Sequence, residues 1–208
     1  MKLELKRPWP HVCLEDGASY GGSQNWFSGG SFAAGGCGVI ACADTLLYLR
    51  GMDGLTRQEY IDYVNSLRRY FPLIPYRGID GVRLAIGMNL CLRRASLPLR
   101  ARWSVSGRLF AERLRSLLAD DLPVILSVGP NFPAVWGRER VTLYRRTQDG
   151  YTAAERTSGH FMTATGLDDE WLRVSTWGGE RFIRRGELDR YRRANGAVFT
   201  NLLSLRRV

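Results

Sequence analysis

The order of the predicted elements indicates an α+β fold, in which helices come first and an antiparallel sheet follows. Helical apolar periodicity with capping residues fills the chain to about residue 120, and strand patterns fill the rest. No internal repeat or low-complexity linker divides the 208 residues. We therefore predict one domain over residues 1–208, with a helical half over about 1–120 and a sheet half over about 121–208.

The helical half contains four predicted helices. The first begins at Cys37 and is apolar on nearly all sides, which indicates that it lies buried at the centre of the fold; Gly51 ends it. A capping box formed by Thr56 and Glu59 marks the start of the second. We predict helices over about residues 37–50, 57–70, 79–94 and 108–118.

The sheet half begins with a continuous apolar run that is typical of a buried strand. Farther along, Gln148-Asp149-Gly150 predicts the turn of a β-hairpin. We predict strands over residues 123–128, 141–146, 151–156, 160–165, 171–175, 181–183 and 197–203, with a short helix near 187–193.

The chain is strongly basic, with 30 lysines and arginines against 20 acidic residues and a net charge of +10. No run of arginines is longer than two, so no basic tail or arm is visible. We expect no specific nucleic-acid partner, although a field of this sign can attract polyanions without specificity. No apolar stretch approaches the ~20 residues that span a bilayer, and the N-terminus lacks a signal-type apolar run. A cytoplasmic protein without a membrane partner is predicted, and the oligomeric state stays open.

Cysteine and histidine are the residue types that narrow the chemistry. The four cysteines, at positions 13, 37, 42 and 91, form no CxxC pair, and the chain has only two histidines. These counts argue against a zinc site, so we expect neither a metal nor a cofactor. In a reducing compartment the cysteines would be free thiols.

Cys37 stands out among the four cysteines. It lies near the end of a segment, residues 17–38, that holds eight of the 23 glycines, and Gly36 and Gly38 flank it at the start of the buried helix. A helix N-terminus lowers the pKa of a thiol, so a reactive thiolate is expected. His160 opens a predicted strand and is the candidate base. The rival pair His11 and Cys13 lacks a helix start.

Three segments resemble the papain-like cysteine peptidases when they are taken in order. Gly36-Cys37-Gly38 resembles the start of the nucleophile helix, and His160-Phe161-Met162-Thr163-Ala164-Thr165-Gly166-Leu167-Asp168 resembles the histidine strand. Val174-Ser175-Thr176-Trp177-Gly178 is similar to the strand that follows. The likeness is greatest to the bacteriocin-processing (double-glycine leader) peptidases and their uncharacterised bacterial relatives. It covers most of the chain in layout and about thirty residues in detail.

This resemblance implies a role for four residues. Cys37 would be the nucleophile, His160 its base and acid, and Gln24 a side-chain donor to the oxyanion. Ser175 takes the place of the Asn or Asp that orients the histidine. Gln24 precedes Cys37 by thirteen residues where the family usually has about six, so Asn25 or a backbone amide could serve instead.

Two further residues are expected to support the site. Trp177 would shield the hydrogen bond of the histidine from water, as the resemblance implies. Asp44 shares the helix of Cys37, and we expect it to pair with an arginine because a buried carboxylate needs a partner.

The predicted function is therefore a cysteine peptidase or amide hydrolase that uses a Cys-His dyad and a thioester intermediate. Gly35, Gly36 and Gly38 suggest a narrow slot, so peptide or protein substrates with small residues at the scissile bond are expected. Two alternatives stay open: an acyl or peptidyl transferase with the same dyad, and a non-catalytic binding module of the same fold.

Overall fold

The computed structural model describes residues 2–75, 77–105, 109–129, 139–196 and 199–208. Helices and antiparallel strands combine in it, which confirms the predicted α+β class. The helices are α1 (Gly30–Gly35), α2 (Cys37–Arg50), α3 (Arg57–Leu67), α4 (Gly81–Arg94), α5 (Phe110–Ala119) and α6 (Arg185–Asn195). No helix in these ranges has the length and apolar character that crossing a bilayer requires.

The strands form one large and one small sheet. They are β1 (Leu3–Glu4), β2 (Val12–Leu14), β3 (Gly17–Ala18), β4 (Leu55–Thr56), β5 (Leu99–Val105), β6 (Val124–Val128), β7 (Val141–Thr147), β8 (Gly150–Thr157), β9 (His160–Leu167), β10 (Trp171–Thr176), β11 (Gly179–Arg184) and β12 (Thr200–Arg207). The large sheet has the order β5-β12-β6-β9-β10-β11-β7-β8, with β1 also paired to β9. All its pairings are antiparallel, whereas the small sheet β3-β2-β4 contains one parallel pair.

The large sheet is not confined to the second half of the chain. Strands β1 and β5 both come from the first 120 residues, and β5 pairs with β12 along its whole length. The alternating charges of Arg100 and Arg102 conceal β5 in the sequence, since this edge strand needs apolar residues on one face only. The first residue of the predicted helix 108–118 and the first two of the predicted strand 197–203 lie outside the described residues.

Helix α2 lies at the centre, as predicted, because it is apolar all round. It packs against β9 on the sheet side and against α3 and α4 on the other side. Every residue from Gly38 to Tyr48 is buried. Gly51 adopts the left-handed conformation, with φ of 66°, and its N–H closes the C-terminus on the carbonyls of Leu47 and Tyr48. This packing holds the first residue of α2, Cys37, against the start of β9.

A two-residue turn joins β10 to β11. Trp177 and Gly178 occupy the turn with φ values of 50° and 72°, the double left-handed geometry that suits the twist of a β-hairpin. A bulky residue is uncommon in this region of backbone space. The turn places the Trp177 ring beside His160, so local strain coincides with the candidate site.

Candidate active site

A small cavity at the N-terminus of α2 brings the predicted site residues together. Its volume is about 10 Å³, and Cys37, His160, Gln24 and Ser175 all border it. The remaining lining residues are Ile40, Ala41, Asp44, Phe161, Thr176 and Trp177. Residues from three regions distant in sequence therefore meet here: the glycine-rich segment, the start of α2 and the β9–β10 strand pair.

The thiol of Cys37 has a raised pKa, opposite to the direction that the helix start predicts. Burial of the sulfur is the main cause, although part of the residue surface is exposed. Backbone N–H groups of Phe161, Gly38 and Cys37 itself lower the pKa, but by less. The expected thiolate is thus corrected to a neutral thiol, because desolvation outweighs the field of the helix N-terminus.

His160 is a buried, neutral histidine. Its side chain is 6 % exposed, and burial lowers its pKa to about 3. The ring stacks on Trp177, with centroids 4.2 Å apart and planes at 27°. Its Nε2 lies 2.5 Å from the Thr176 hydroxyl oxygen. Within the described residues no hydrogen bond joins the ring to the Cys37 thiol, although both groups border the cavity.

The hydroxyl that contacts His160 belongs to Thr176, and the contact expected of Ser175 is not formed. The register of β10 on β9 places Val174 opposite Ala164 and Ser175 opposite Thr163. Since side chains alternate between faces along a strand, Thr176 falls on the same face as His160 and Ser175 on the other. Ser175 instead donates to the carbonyl of Tyr20 at 2.9 Å. The nitrogen in this contact is Nε2 of the imidazole ring.

Gln24 reaches the cavity despite its long spacing to Cys37. It begins a short 3₁₀ turn, Gln24–Trp26, and its Nε2 donates to the carbonyl of Ala33 at 2.8 Å. Ala33 lies in α1, so the extra residues form a helix that folds back onto the glutamine. One hydrogen of the side-chain NH₂ group is thus bonded to Ala33, and the second hydrogen remains for another acceptor. Asn25, the alternative donor, is exposed and does not line the cavity.

Asp44 belongs to a buried polar cluster that the sequence did not reveal. Its carboxylate accepts from the Tyr60 hydroxyl at 2.6 Å and from the Gly22 N–H at 3.0 and 3.1 Å. The expected arginine is not among its partners in the described residues, because this side of α2 faces α3 and the glycine-rich segment. Burial raises the Asp44 pKa to about 7, and the two hydrogen bonds lower it by less. The feature of the sequence that could have pointed to this cluster is the single carboxylate, Asp44, within the otherwise apolar helix α2.

The glycines around Cys37 are packed against protein and do not line an open slot, contrary to the expectation. A Cβ at Gly35 would lie 2.5 Å from the Cα of Gly78. At Gly36 it would lie 2.6 Å from the carbonyl oxygen of Phe32, and at Gly38 it would lie 2.9 Å from Ile79. These glycines permit the close approach of neighbouring segments. The small volume of the cavity, and not a slot lined by glycines, is what restricts the access of a substrate to Cys37.

Gly21 is expected to tolerate substitution poorly, because it is both left-handed and crowded. Its φ is +74°, and an added Cβ would lie 2.3 Å from the Ser175 oxygen and 2.4 Å from Asp44 Oδ2. Gly29 is left-handed too, with φ of +62°, but has open space around it. We predict that Gly29→Ala costs about 1–2 kcal/mol of unfolding free energy and Gly21→Ala a further 1–3 kcal/mol. Urea unfolding measures both, and equal losses would contradict the crowding.

The remaining candidates lie apart from this cavity. Cys13 is exposed, Cys42 and Cys91 are buried in the core, and His11 does not line the cavity. In the described part of the chain no group of three or more His, Cys, Asp or Glu is placed to hold a metal ion.

In this architecture a cysteine begins the central helix, and a histidine opens the strand packed on it. One solved structure with this fold is the crystal structure described as a "putative C39-like peptidase" from Bacillus anthracis. It matches with a TM-score of 0.54 over 100% of this chain and 98% of the other, at 14% identity. The likeness at this identity concerns the fold. No family model matches the chain, and no match is found among curated proteins.

Proposed function

We propose that this chain is a cysteine peptidase or amide hydrolase that cleaves peptides with small residues at the scissile bond. The observation that carries the proposal is the meeting of Cys37, His160 and Gln24 at one cavity, at the start of the central helix. A nucleophile, a base and an oxyanion donor are the three functions that acyl transfer requires. The volume of about 10 Å³ holds roughly one water molecule, so it leaves no room for a bulky substrate side chain. A cytoplasmic location stays a prediction.

The chemistry starts from a neutral pair, because burial raises the Cys37 pKa and lowers the His160 pKa. Thr176 holds Nε2, so Nδ1 is the nitrogen that would take the thiol proton as sulfur attacks the carbonyl carbon. The tetrahedral oxyanion would accept from the Gln24 amide and the Cys37 backbone N–H. His160 then protonates the leaving amine, and the C–N bond breaks to leave a thioester. Water, deprotonated by His160, releases the acid and restores the thiol.

Quenched-fluorescent peptides test this proposal directly. One probe carries a central Gly-Gly pair and a matched probe carries Leu-Leu in its place, and both are incubated with the full chain under reducing conditions. We expect cleavage of the Gly-Gly probe at that pair, identified by product mass. Added glycinamide shows by a new product mass whether the thioester also passes to an amine. Absence of cleavage in every probe would contradict the proposal.

Gln24 should contribute to the rate as well as to the packing of α1, since its amide also donates to the Ala33 carbonyl. Loss of one oxyanion donor typically lowers kcat by ~10²–10³. We therefore expect Gln24→Ala to reduce turnover of the Gly-Gly probe by about that factor, while KM changes little. Asn25→Ala is the matched control, since Asn25 is exposed and outside the cavity. Comparable losses in both variants would argue against Gln24 as the donor.

Thr176 should matter more than Ser175 for orienting the histidine. Thr176→Val keeps the side-chain shape but leaves the buried Nε2 of His160 without its partner, a cost of about 1–3 kcal/mol. If the whole cost falls on the transition state, kcat drops by about 5- to 150-fold. Ser175→Ala removes only a bond to the Tyr20 carbonyl, so its kcat should stay within about threefold of the parent protein. The reverse order of the two variants in steady-state assays would refute this assignment.

The neutral state of the Cys37 thiol and the His160 ring also favours a second candidate function, a non-catalytic peptide-binding module. Both Cys37 and His160 are neutral, and no hydrogen bond joins them in the described residues. This candidate predicts that the Gly-Gly probe binds without being cleaved and that Cys37→Ala leaves its affinity unchanged. Turnover of the probe would exclude it.

A further inference from the structure

A second, larger concavity is lined in part by the first residues of α1. It has a volume of about 840 Å³ and runs between residues 26–32 and helix α3 with the turn that follows it. We call it the arginine groove; the residues that matter for its chemistry are Phe27, Phe32, Asn65, Arg68 and Arg69. The residues between Gln24 and Cys37 that exceed the usual spacing build one wall of this groove.

The groove is cationic and its charges are uncompensated. Arg68 and Arg69 are exposed, and no Asp or Glu is among the lining residues. Within the part of the chain that the structure describes, neither arginine pairs with a carboxylate. Arg181, in contrast, pairs with Glu155 at 2.9 Å. Two guanidinium groups that contact aromatic rings and Asn65 but no carboxylate of the described residues favour an anionic occupant.

Aromatic contacts hold one of these charges in place. The Arg68 guanidinium lies 4.6 Å from the centre of the Phe32 ring, and its Nη1 donates to Asn65 Oδ1 at 3.3 Å. The Phe32 ring packs on Phe27, with centroids 4.6 Å apart. The groove therefore presents an oriented guanidinium beside an apolar surface, which suits a carboxylate next to apolar side chains.

The arginine groove lies one helical turn from the nucleophile. The N–H of Gly36, the residue before Cys37, donates to the carbonyl of Phe32 at 2.7 Å. The five residues from Phe32 to Cys37 follow a helical path with a rise of roughly 8 Å. An extended peptide covers that distance in about three residues. The backbone separation between the wall of the groove and the nucleophile is therefore within the span of one extended peptide.

We propose that the arginine groove binds an acidic segment of the peptide substrate, a few residues from the scissile bond. The inference rests on the proposed peptidase function and adds a substrate class to it. Paired carboxylates on the peptide would form charge-assisted hydrogen bonds with Arg68 and Arg69 while neighbouring apolar side chains pack on Phe32. Selectivity would thus come from a place separate from the small cavity that receives the scissile residues.

Binding to the Cys37→Ala protein separates recognition from turnover. The probe is a fluorescein-labelled peptide with three glutamates upstream of Gly-Gly, and a matched peptide carries glutamines there. We expect fluorescence anisotropy to show at least tenfold tighter binding of the glutamate peptide. Adding Arg68→Glu and Arg69→Glu should remove that preference. Arg93→Glu with Arg94→Glu, an exposed pair outside the groove with the same charge change, should preserve it.

A charge-neutral double variant and an oligonucleotide ligand complete the binding experiment. Arg68→Gln with Arg69→Gln replaces the charge reversal if circular dichroism shows that the reversed protein is unfolded, and it should also remove the preference. Equal affinity for both peptides, or equal loss in the groove and control pairs, would overturn the inference. A single-stranded oligonucleotide that binds more tightly than the glutamate peptide, with the same dependence on Arg68 and Arg69, would also overturn it.

The inference and the proposed function fail in different ways. If the protein with Cys37 intact cleaves both peptides equally, and the groove variants cleave as fast, the groove is not the recognition site but the peptidase stands. If the Cys37→Ala protein prefers the glutamate peptide through its arginines, yet the protein with Cys37 cleaves neither peptide, recognition stands and hydrolysis fails.

Discussion

Replacing Cys37 with alanine is expected to abolish hydrolysis of the Gly-Gly probe, with a loss of about 10⁴-fold or more in kcat. Three residues that line the cavity carry a nucleophilic group: Cys37, Ser175 and Thr176. The Thr176 hydroxyl contacts His160 and the Ser175 hydroxyl donates to the Tyr20 carbonyl, so the proposed mechanism uses the thiol. His160→Ala should cause a loss of similar size because the dyad acts as one unit. The double variant should therefore be no worse than either single variant.

Cys13→Ser provides the matched control for this experiment. It removes an exposed thiol that lies outside the cavity, so activity should be unchanged. Activity is followed by fluorescence and product mass, and circular dichroism verifies that each variant is folded. If Cys37→Ala kept more than a tenth of the turnover, another nucleophile would have to be responsible and the proposed mechanism would be wrong.

The second large effect concerns the free energy of unfolding. Two groups at the cavity, His160 and Asp44, make it depend on pH in opposite directions. Burial lowers the pKa of His160 from 6.5 to about 3 and raises the pKa of Asp44 from 3.8 to about 7. His160 thus contributes stability that is complete above pH 6.5 and is lost as the pH falls towards 3. Asp44 contributes stability that is complete below pH 3.8 and is lost as the pH rises through 7.

The two contributions nearly cancel in the parent protein. The pKa differences correspond to about 5 kcal/mol for His160 and about 4 kcal/mol for Asp44. Between about pH 4 and 6.5 one contribution grows while the other shrinks, so this pair leaves the free energy of unfolding almost flat. Each single variant should expose the pH dependence of the residue that remains.

Urea unfolding from pH 4 to 8 measures these slopes. We expect the stability of Asp44→Asn to rise with pH up to about 6.5, and the stability of His160→Gln to fall as the pH approaches 7. His11→Gln, which changes the histidine outside the cavity, should behave like the parent protein. Slopes of the same sign in the Asp44 and His160 variants would show that burial does not control these groups.

Local signals were enough to locate the elements that begin and end on short-range features. The capping box of α3, with reciprocal bonds between Thr56 and Glu59, and the left-handed Gly51 at the end of α2 both follow from a few adjacent residues. The same holds for β9, whose apolar run follows directly after His160. These features depend on backbone geometry within one or two turns.

Helix α1 and strand β5 were not predicted from the sequence. Helix α1, with the sequence GSFAAG, has little helix propensity at its glycines. It is held by the packing of Phe32 on Phe27 and by the bond from Gln24 to the carbonyl of Ala33. Strand β5 exists because β12, about a hundred residues later, pairs with it. No short window of the sequence contains both β5 and β12, whereas α1 was missed because its glycines hide it.

The sequence alone was enough to predict the α+β class and the central helix, and to select Cys37 and His160 as the candidate pair among four cysteines and two histidines. It could do so because residue type and local periodicity carry that information. Only the tertiary structure decided that Thr176 contacts His160, that Asp44 bonds to Tyr60 and Gly22, and that Cys37 is a neutral thiol. Strand register, burial and desolvation are properties of the packed chain, and they set these contacts and protonation states.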